Sequence, residues 1–227
     1  MSRVSLVIRA VVFDFGGVLS YPPTDEDWHA LAGIVGAPLS SFLEPYWKYR
    51  NEYDVDQFDS AVYWRKVVGS LGRTLTDEDV HQLVRIDNQA WGRENPNTIE
   101  VVRAARAAGL KVAVLSNIHA DMLSYVRRSF PSFSEFDVQV FSNELGIAKP
   151  SPEIFLHTAS LLGVCPEEIL FVDDLQPNID GAARVGMKTM RFESPESYVD
   201  LEQLLLDLGA PLDGGNGGAC CGTGGEA

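Results

Sequence analysis

Apolar residues are grouped in two ways along this chain, and the difference divides it into segments. Short apolar runs predict buried strands at 11–13, 111–115, 138–141, 169–172 and 188–192. Apolar residues at helical spacing predict helices beside these strands, at 98–108, 119–130, 152–162 and 179–185. Strands that alternate with helices are typical of a parallel sheet covered on both faces. We therefore expect a doubly wound α/β fold.

The segment between the first two strands has a different pattern. Helical spacing dominates it, with Thr24 and Thr76 as expected N-caps and Val62 among the residues expected to face inward. We therefore expect a Rossmann-like core built from residues 1–19 and 95–210, with an all-helical domain at 20–94 inserted after the first strand. Residues 211–227 are rich in glycine, and we expect this tail to be disordered.

Charge and cysteine content exclude several classes of protein. The net charge of −14 argues against binding to nucleic acid or to an anionic membrane surface. No run approaches 18 apolar residues, so no membrane-spanning helix is expected. The three cysteines, Cys165, Cys220 and Cys221, form neither a disulfide framework nor a metal-binding spacing, and we expect a cytoplasmic protein in which Cys165 packs as a small hydrophobic residue. The sequence does not indicate an oligomeric state.

Polar residues follow the predicted strands at the edge where ligands bind in open α/β sheets. They are Asp14, Ser116, Asn117, Lys149, Asp173 and Asp174. A carboxylate can attack phosphorus, Mg²⁺ prefers oxygen ligands, and a lysine can neutralise a phosphate. The sequence therefore predicts a phosphoryl-transfer site in which Asp14 is the nucleophile and carboxylates bind Mg²⁺.

Four motifs make the chain similar to a known family. They are Phe13–Leu19 (FDFGGVL), Val114–Asn117 (VLSN), Ser142–Phe155 (SNELGIAKPSPEIF) and Phe171–Ile179 (FVDDLQPNI). In this order, each after a predicted strand, they resemble the haloacid dehalogenase superfamily of phosphohydrolases over residues 10–192. The pattern is most similar to the subgroup with sugar-phosphate phosphatases and the N-terminal phosphatase domain of soluble epoxide hydrolase. The helical insertion corresponds to the cap domain of that family.

The resemblance implies a role for each motif residue. Asp14 would be the nucleophile and a metal ligand, and the backbone carbonyl of Gly16 would also contact the metal. Asp174 would bind Mg²⁺, with Asp173 as a second ligand or an outer partner. The phosphoryl group would be held by Ser116, Asn117 and Lys149. The substrate would be a small phosphorylated molecule.

The chain departs from the family pattern at Gly16. Phosphatases of the family usually carry an aspartate there, which protonates the leaving group and then activates water. General acid catalysis contributes about 10²–10⁴ in rate, so we expect activity limited to good leaving groups, such as acyl phosphates or anomeric sugar phosphates. A cap residue or the substrate could also supply the proton. The alternatives are a dehalogenase-like or phosphonatase-like hydrolase with the same nucleophile, and a catalytically weak phosphate-binding protein.

The helical insertion gives weaker signals. Five of its residues are candidates for substrate contact, with packing in a core or exposure to solvent as the alternative: Trp47, Tyr49, Arg50, Trp64 and Arg65. His119 is a further candidate because it lies two residues after Asn117. The sequence does not identify the substrate.

Overall fold

A five-stranded parallel sheet forms the core of the computed structural model, which describes residues 8–208. The strands are β1 (Ala10–Phe13), β2 (Lys111–Ser116), β3 (Val138–Phe141), β4 (Ile169–Asp173) and β5 (Lys188–Arg191), in the order β3-β2-β1-β4-β5. This confirms the doubly wound α/β fold. The predicted tail 211–227, with Cys220 and Cys221, lies outside the described residues.

Eleven α-helices accompany the sheet in the described part of the chain. They are α1 (Asp25–Val35), α2 (Leu39–Lys48), α3 (Arg50–Asp54), α4 (Ser60–Gly69), α5 (Asp77–Trp91), α6 (Pro96–Ala107), α7 (Ala120–Ser129), α8 (Ser142–Leu145), α9 (Pro152–Leu162), α10 (Gln176–Arg184) and α11 (Tyr198–Asp207). No helix among residues 8–208 is long and apolar enough to span a bilayer.

Alternate residues of the central strands β1, β2 and β4 enter two separate hydrophobic cores. In β1, Val11 and Phe13 pack with residues of α6, α7 and α11, whereas Ala10 and Val12 pack with residues of α9 and α10. A strand buried on both faces needs apolar residues at every position, which explains why these runs are continuous and not alternating. Because all five strands are parallel, their carboxyl ends lie at one edge of the sheet.

Helices α1–α5, which we call the helical insertion, surround a third core of their own. The chain leaves and re-enters the α/β core through two adjacent segments, where Tyr21 N–H donates to the carbonyl of Arg93 and Asn95 N–H donates to that of Leu19. The insertion occupies the interval for which the sequence predicts a separate domain. The exact limits 20–94 stay a prediction.

Local sequence explains the starts of α1 and α5, and the structure corrects two expectations about side-chain burial. Thr24 and Thr76 form capping boxes with Asp27 and Asp79, as expected. The expectation for Val62 is wrong, since its side chain is exposed on α4. Cys165 is also exposed, against the expectation that it packs as a hydrophobic residue. The sequence does not predict α3, α8 or α11. Helices α3 and α8 have five and four residues, too few to show a helical repeat, and α11 begins without a side-chain cap.

Gly181 in α10 gives a test of how tightly the core holds the segment after Lys149. A Cβ at this position would lie 2.8 Å from the carbonyl oxygen of Pro150 and 3.0 Å from the ring of Phe155. We expect Gly181→Ala to lower the free energy of unfolding by about 1–3 kcal/mol, the usual cost of overpacking. Chemical denaturation would measure this.

Gly33 in α1 is the matched control, because a Cβ there meets nothing within 4 Å. Gly33→Ala is expected to raise the free energy of unfolding by about 1 kcal/mol, since alanine is the better helix former. Equal effects of the two substitutions would show that the close approach at Gly181 is not a constraint.

Candidate active site

The three central strands bring the predicted polar residues to one place. Asp14 follows β1, Ser116 ends β2, and Asp173 ends β4, with Asp174 next to it. Since β1 lies between β2 and β4, the carboxyl ends of these strands are neighbours. Lys149 reaches the same edge from the loop between α8 and α9. The structure thus groups the residues that sequence reasoning selected from four separate motifs.

Lys149 is the centre of this group, and its ammonium is almost fully buried. Nζ donates to Asp173 Oδ2 at 2.7 Å and to the carbonyl of Leu115 at 3.0 Å, and it forms an ion pair with Asp14 Oδ1 at 2.7 Å. Burial by itself opposes the charge, but the two carboxylates outweigh it and raise the pKa of Lys149. Two hydrogen bonds and an ion pair therefore fix the position of the ammonium.

Asn117 binds the backbone of Lys149 with both ends of its amide. Its Nδ2 donates to the carbonyl of Lys149 at 2.9 Å, and its Oδ1 accepts from the Lys149 N–H at 2.8 Å. The side chain therefore positions the lysine. The predicted contact between Asn117 and a phosphoryl group stays a prediction.

The adjacent carboxylates Asp173 and Asp174 have different surroundings. Asp173 is fully buried and accepts from Lys149, from the Leu175 N–H at 2.8 Å and from Asn178 Nδ2 at 3.0 and 3.1 Å. The carboxylate of Asp174 has no ion pair among the described residues. Burial, together with the charge of Asp173, raises the pKa of Asp174 to about 6.

This group has the composition of a site for a divalent cation. One carboxylate oxygen from each of Asp14, Asp173 and Asp174 lies within 4.8 Å of the others. Lys149 is the only buried cation in contact with them among residues 8–208, so the group has two more negative than positive charges when all three carboxyl groups are ionised. Burial raises the pKa of Asp14 despite Lys149, which again indicates missing positive charge. An oxygen-only donor set of this kind fits Mg²⁺.

Two glycines of the first motif make room for different neighbours. Gly17 has a φ of 76°, and a Cβ there would lie 2.9 Å from Asp174 Oδ2, so any other residue would be strained and would press on that carboxylate. A Cβ on Gly16 would lie 3.3 Å from Cζ3 of Trp91. The indole of α5 therefore fills the space next to Gly16.

A cavity of about 400 Å³ lies over the group and is lined by both parts of the chain. The core contributes Asp14, Ser116, Asn117, Lys149 and Asp174, among others. The helical insertion contributes Trp47, Arg50, Asn51, Asp54 and Trp91. The cavity thus connects the predicted nucleophile to side chains of the insertion.

The five insertion residues proposed from sequence divide into two sets. Trp47 and Arg50 line the cavity. Trp64 is fully buried in the core of the insertion, Arg65 is exposed and pairs with Asp77, and Tyr49 donates to or accepts from Ser70. Sequence reasoning missed Asn51, Asp54 and Trp91. Asp54 is a charged residue four positions after Arg50 on one helix, and that spacing was an available signal.

A family model described as haloacid dehalogenase-like hydrolase matches residues 8–186. The chain belongs to the haloacid dehalogenase-like hydrolases. The resemblance proposed from the four sequence motifs is confirmed.

Relatives within the haloacid dehalogenase-like hydrolases include phosphatases and a dehalogenase. A phosphatase of Mycobacterium tuberculosis is 32% identical over 91% of this chain and 98% of its own length. Glyceraldehyde 3-phosphate phosphatase of Methanopyrus kandleri is 36% identical over 86% and 88%. (S)-2-haloacid dehalogenase 1 of Pseudomonas sp. strain CBS-3 is 30% identical over 88% and 98%. These relatives support a hydrolase, and the phosphatases among them support action on small phosphorylated metabolites.

A solved structure shows the same fold. It is a HAD family enzyme of Bacteroides thetaiotaomicron in complex with magnesium and inorganic phosphate, with a TM-score of 0.65 and 22% identity over 81% of this chain and 93% of the other. The likeness supports the fold class of a haloacid dehalogenase-like hydrolase.

A second buried charged network lies between the insertion and the core. Arg50 Nη1 donates to Tyr46 Oη at 2.8 Å and to Asp87 Oδ2 at 3.1 Å, and its Nε lies 3.1 Å from Asp54 Oδ1. His119 Nε2 lies 3.7 Å from Asp87 Oδ2, which is too long for a hydrogen bond. His119 does not line the cavity, so its predicted substrate contact has no support in the geometry.

His119 instead begins α7 as its N-cap. Nδ1 accepts from the Met122 N–H at 3.3 Å, and the ring stacks on Tyr53 with centroids 4.0 Å apart. A ring that accepts at Nδ1 carries its single hydrogen on Nε2 and is neutral. Burial lowers the pKa of His119 below its ordinary value, and the carboxylates of Asp87 and Asp54 oppose this only in part.

We expect His119 to make stability fall at acidic pH. Its folded-state pKa lies below the ordinary value of 6.5, so the unfolded chain binds the proton more readily. The stabilisation that comes from the neutral ring is complete above this ordinary pKa and is lost as the pH falls below it. The free energy of unfolding then changes by at most about 1.4 kcal/mol per pH unit. Denaturation between pH 7.5 and 5 would measure the slope.

His119→Asn is the comparison variant, because asparagine caps a helix well and does not titrate. Its free energy of unfolding is expected to depend less on pH than that of the unmodified protein. The substitution also removes the stacking on Tyr53, so the slopes are compared and not the absolute values. Two equal slopes would contradict the assignment.

Proposed function

We propose that the chain is a Mg²⁺-dependent phosphatase that acts through an aspartyl-phosphate on Asp14. The observation that carries the proposal is the Asp14–Lys149 contact of 2.7 Å inside a group of three carboxylates. This contact holds one oxygen of Asp14, which also accepts from the Phe15 N–H at 2.7 Å. The other oxygen has no hydrogen bond among the described residues and, since Asp14 lines the cavity, we propose that this oxygen attacks phosphorus.

The remaining motif residues bind and orient the phosphoryl group in this proposal. Ser116 and Lys149 line the cavity beside Asp14, and Asn117 fixes the backbone of Lys149. Mg²⁺ would be held by Asp14, Asp174 and the carbonyl of Gly16, with Asp173 as the outer partner, and would neutralise charge on the phosphoryl group. Since Asp173 already accepts four hydrogen bonds, from Lys149, the Leu175 N–H and Asn178, its part is to hold Lys149 and not to bind metal directly.

The helical insertion acts as a cap in this proposal and selects the substrate. A cavity of about 400 Å³ fits a small phosphorylated metabolite, with the indoles of Trp47 and Trp91 on one side and the polar groups of Arg50 and Asn51 available for hydrogen bonds. The relative that acts on glyceraldehyde 3-phosphate supports a substrate of this size. Because both parts of the chain line the cavity, substrate entry requires some movement of the insertion.

The absence of a side chain at Gly16 affects which leaving groups the enzyme can release. The turn after Asp14 supplies no proton donor, so we propose a preference for substrates whose leaving group needs little protonation, such as acyl phosphates and anomeric sugar phosphates. A donor elsewhere in the cavity would soften that preference.

Asp14→Asn tests the nucleophile. We expect Mg²⁺-dependent phosphate release from acyl, aryl and sugar phosphates to fall by at least about a thousandfold, as for other covalent nucleophiles. Asp180→Asn, an exposed neighbour on α10, should leave release unchanged. Acid quenching during turnover should trap a phosphate on the peptide that contains Asp14. Undiminished release from Asp14→Asn would contradict the proposal.

Asp174→Asn tests the metal site without using activity. Calorimetric titration with MgCl₂ should show affinity weakened by at least about tenfold, while Asp180→Asn binds as the unmodified protein does. Equal affinities would place the metal elsewhere. Hydrolysis that resists EDTA, with halide released from 2-haloacids, would instead favour the dehalogenase-like alternative.

A further inference from the structure

The proposed phosphatase lacks an evident proton donor, because Gly16 has no side chain and the ring of Trp91 fills the space beside it. Five side chains that line the cavity can carry a charge: Asp14, Asp174, Lys149, Arg50 and Asp54. The first three belong to the nucleophile and the metal site. An arginine does not release its proton in proteins. Asp54 is the carboxyl group that is left.

Asp54 is held firmly at the boundary between the insertion and the core. It ends α3, and its backbone carbonyl accepts from Ser142 Oγ at the start of α8. The same hydroxyl accepts from the Ile118 N–H at 2.9 Å, two residues after Ser116. The position of Asp54 is therefore tied to the strand end that lines the phosphate side of the cavity.

The carboxyl group of Asp54 is less well bound than its backbone. Oδ1 is buried and, although 3.1 Å from Arg50 Nε, receives no hydrogen bond of good geometry. The Asp54 side chain is 9% exposed to solvent, and Asp54 lines the cavity. A buried carboxylate with so few donors is costly, whereas a protonated carboxyl is not.

Charge balance within the network places the proton on Asp54. Among the described residues that face Asp54, Arg50 is the one cation, and Asp87 competes for that charge with better contacts. Asp87 accepts from Tyr46 Oη at 2.7 Å as well as from Arg50 at 3.1 Å. Burial raises the pKa of Asp54 more than Arg50 lowers it, while the charge of Arg50 and the hydrogen bond from Tyr46 keep the pKa of Asp87 low despite burial.

We propose that Asp54 is the general acid and base of the reaction, in place of a side chain at position 16. As Asp14 attacks phosphorus, the bond from phosphorus to the leaving oxygen breaks and that oxygen takes the proton of Asp54, which releases an alcohol. The Asp54 carboxylate then removes a proton from water as the water attacks the aspartyl-phosphate. The bond from phosphorus to Asp14 breaks, inorganic phosphate forms, and both aspartates return to their starting state.

This inference rests on the proposed function, and substituted phenyl phosphates separate the two. These substrates have nearly the same size, while the pKa of the phenol that leaves differs from one to the next. For Asp54→Asn we expect kcat/KM to fall by about 10²–10⁴ with the poorest leaving groups and by less than about tenfold with p-nitrophenyl phosphate. The loss of rate at high pH, where the acid is deprotonated, should disappear in this variant. Asp54→Glu should restore part of the activity toward poor leaving groups.

Asp56→Asn is the matched control, because Asp56 is exposed, two residues away, and has a φ of 60° that asparagine tolerates. It should behave as the unmodified protein. If Asp54→Asn slows every member of the series equally, or none of them, Asp54 is not the acid although the enzyme is a phosphatase. If the unmodified protein with Mg²⁺ cleaves no member above the Asp14→Asn background, the proposed function itself fails.

Stability gives a second readout that does not depend on turnover. If Asp54 is protonated in the folded state, asparagine mimics it, and the melting temperature of Asp54→Asn should equal or exceed that of the unmodified protein. Asp87→Asn should melt at a lower temperature, because it removes a buried ionised partner of Arg50. A lower melting temperature for Asp54→Asn than for Asp87→Asn would overturn the assignment of the proton.

Discussion

The buried ammonium of Lys149 is the interaction on which the rest of the site depends. Its three partners, Asp14, the carbonyl of Leu115 and Asp173, belong to the ends of three adjacent strands, β1, β2 and β4. An ammonium buried without such partners would cost several kcal/mol, so it is satisfied only when these strands are in register. The same contacts hold the nucleophile, which means that the fold and the chemistry impose one geometrical requirement and not two.

The insertion repeats this arrangement around Arg50. In both networks one cation is shared by two carboxylates. One of each pair, Asp173 or Asp87, is bound by several donors. The other, Asp14 or Asp54, lines the cavity with fewer donors. Sharing one cation between two acids leaves each site with a carboxyl group whose charge is not fully compensated, and such groups are the ones available for reaction with a ligand.

The core and its polar strand ends could be predicted from sequence because each depends on local pattern. A buried parallel strand reads as a continuous apolar run, and the carboxyl ends of parallel strands share one edge, so Asp14, Ser116 and Asp174 had to meet. The insertion was harder. Arg50 and Asp87 are 37 residues apart and meet only through the packing of separate helices. No local pattern reports such a pairing, and the amide of Asn117 likewise gave no sign that it would bind backbone.

The ring of Trp91 beside Gly16 connects the helical insertion to the α/β core. A residue without a side chain in the core is matched by a large ring from the insertion, so the two parts of the chain are complementary at the point where an acid is missing. If Asp54 supplies the proton, the nucleophile belongs to the core and the acid to the insertion. The chemistry then requires both parts to be in place around the substrate, and a movement of the insertion that admits substrate also removes the acid. Hydrolysis would thus be confined to the arrangement in which the nucleophile and the acid both face the substrate.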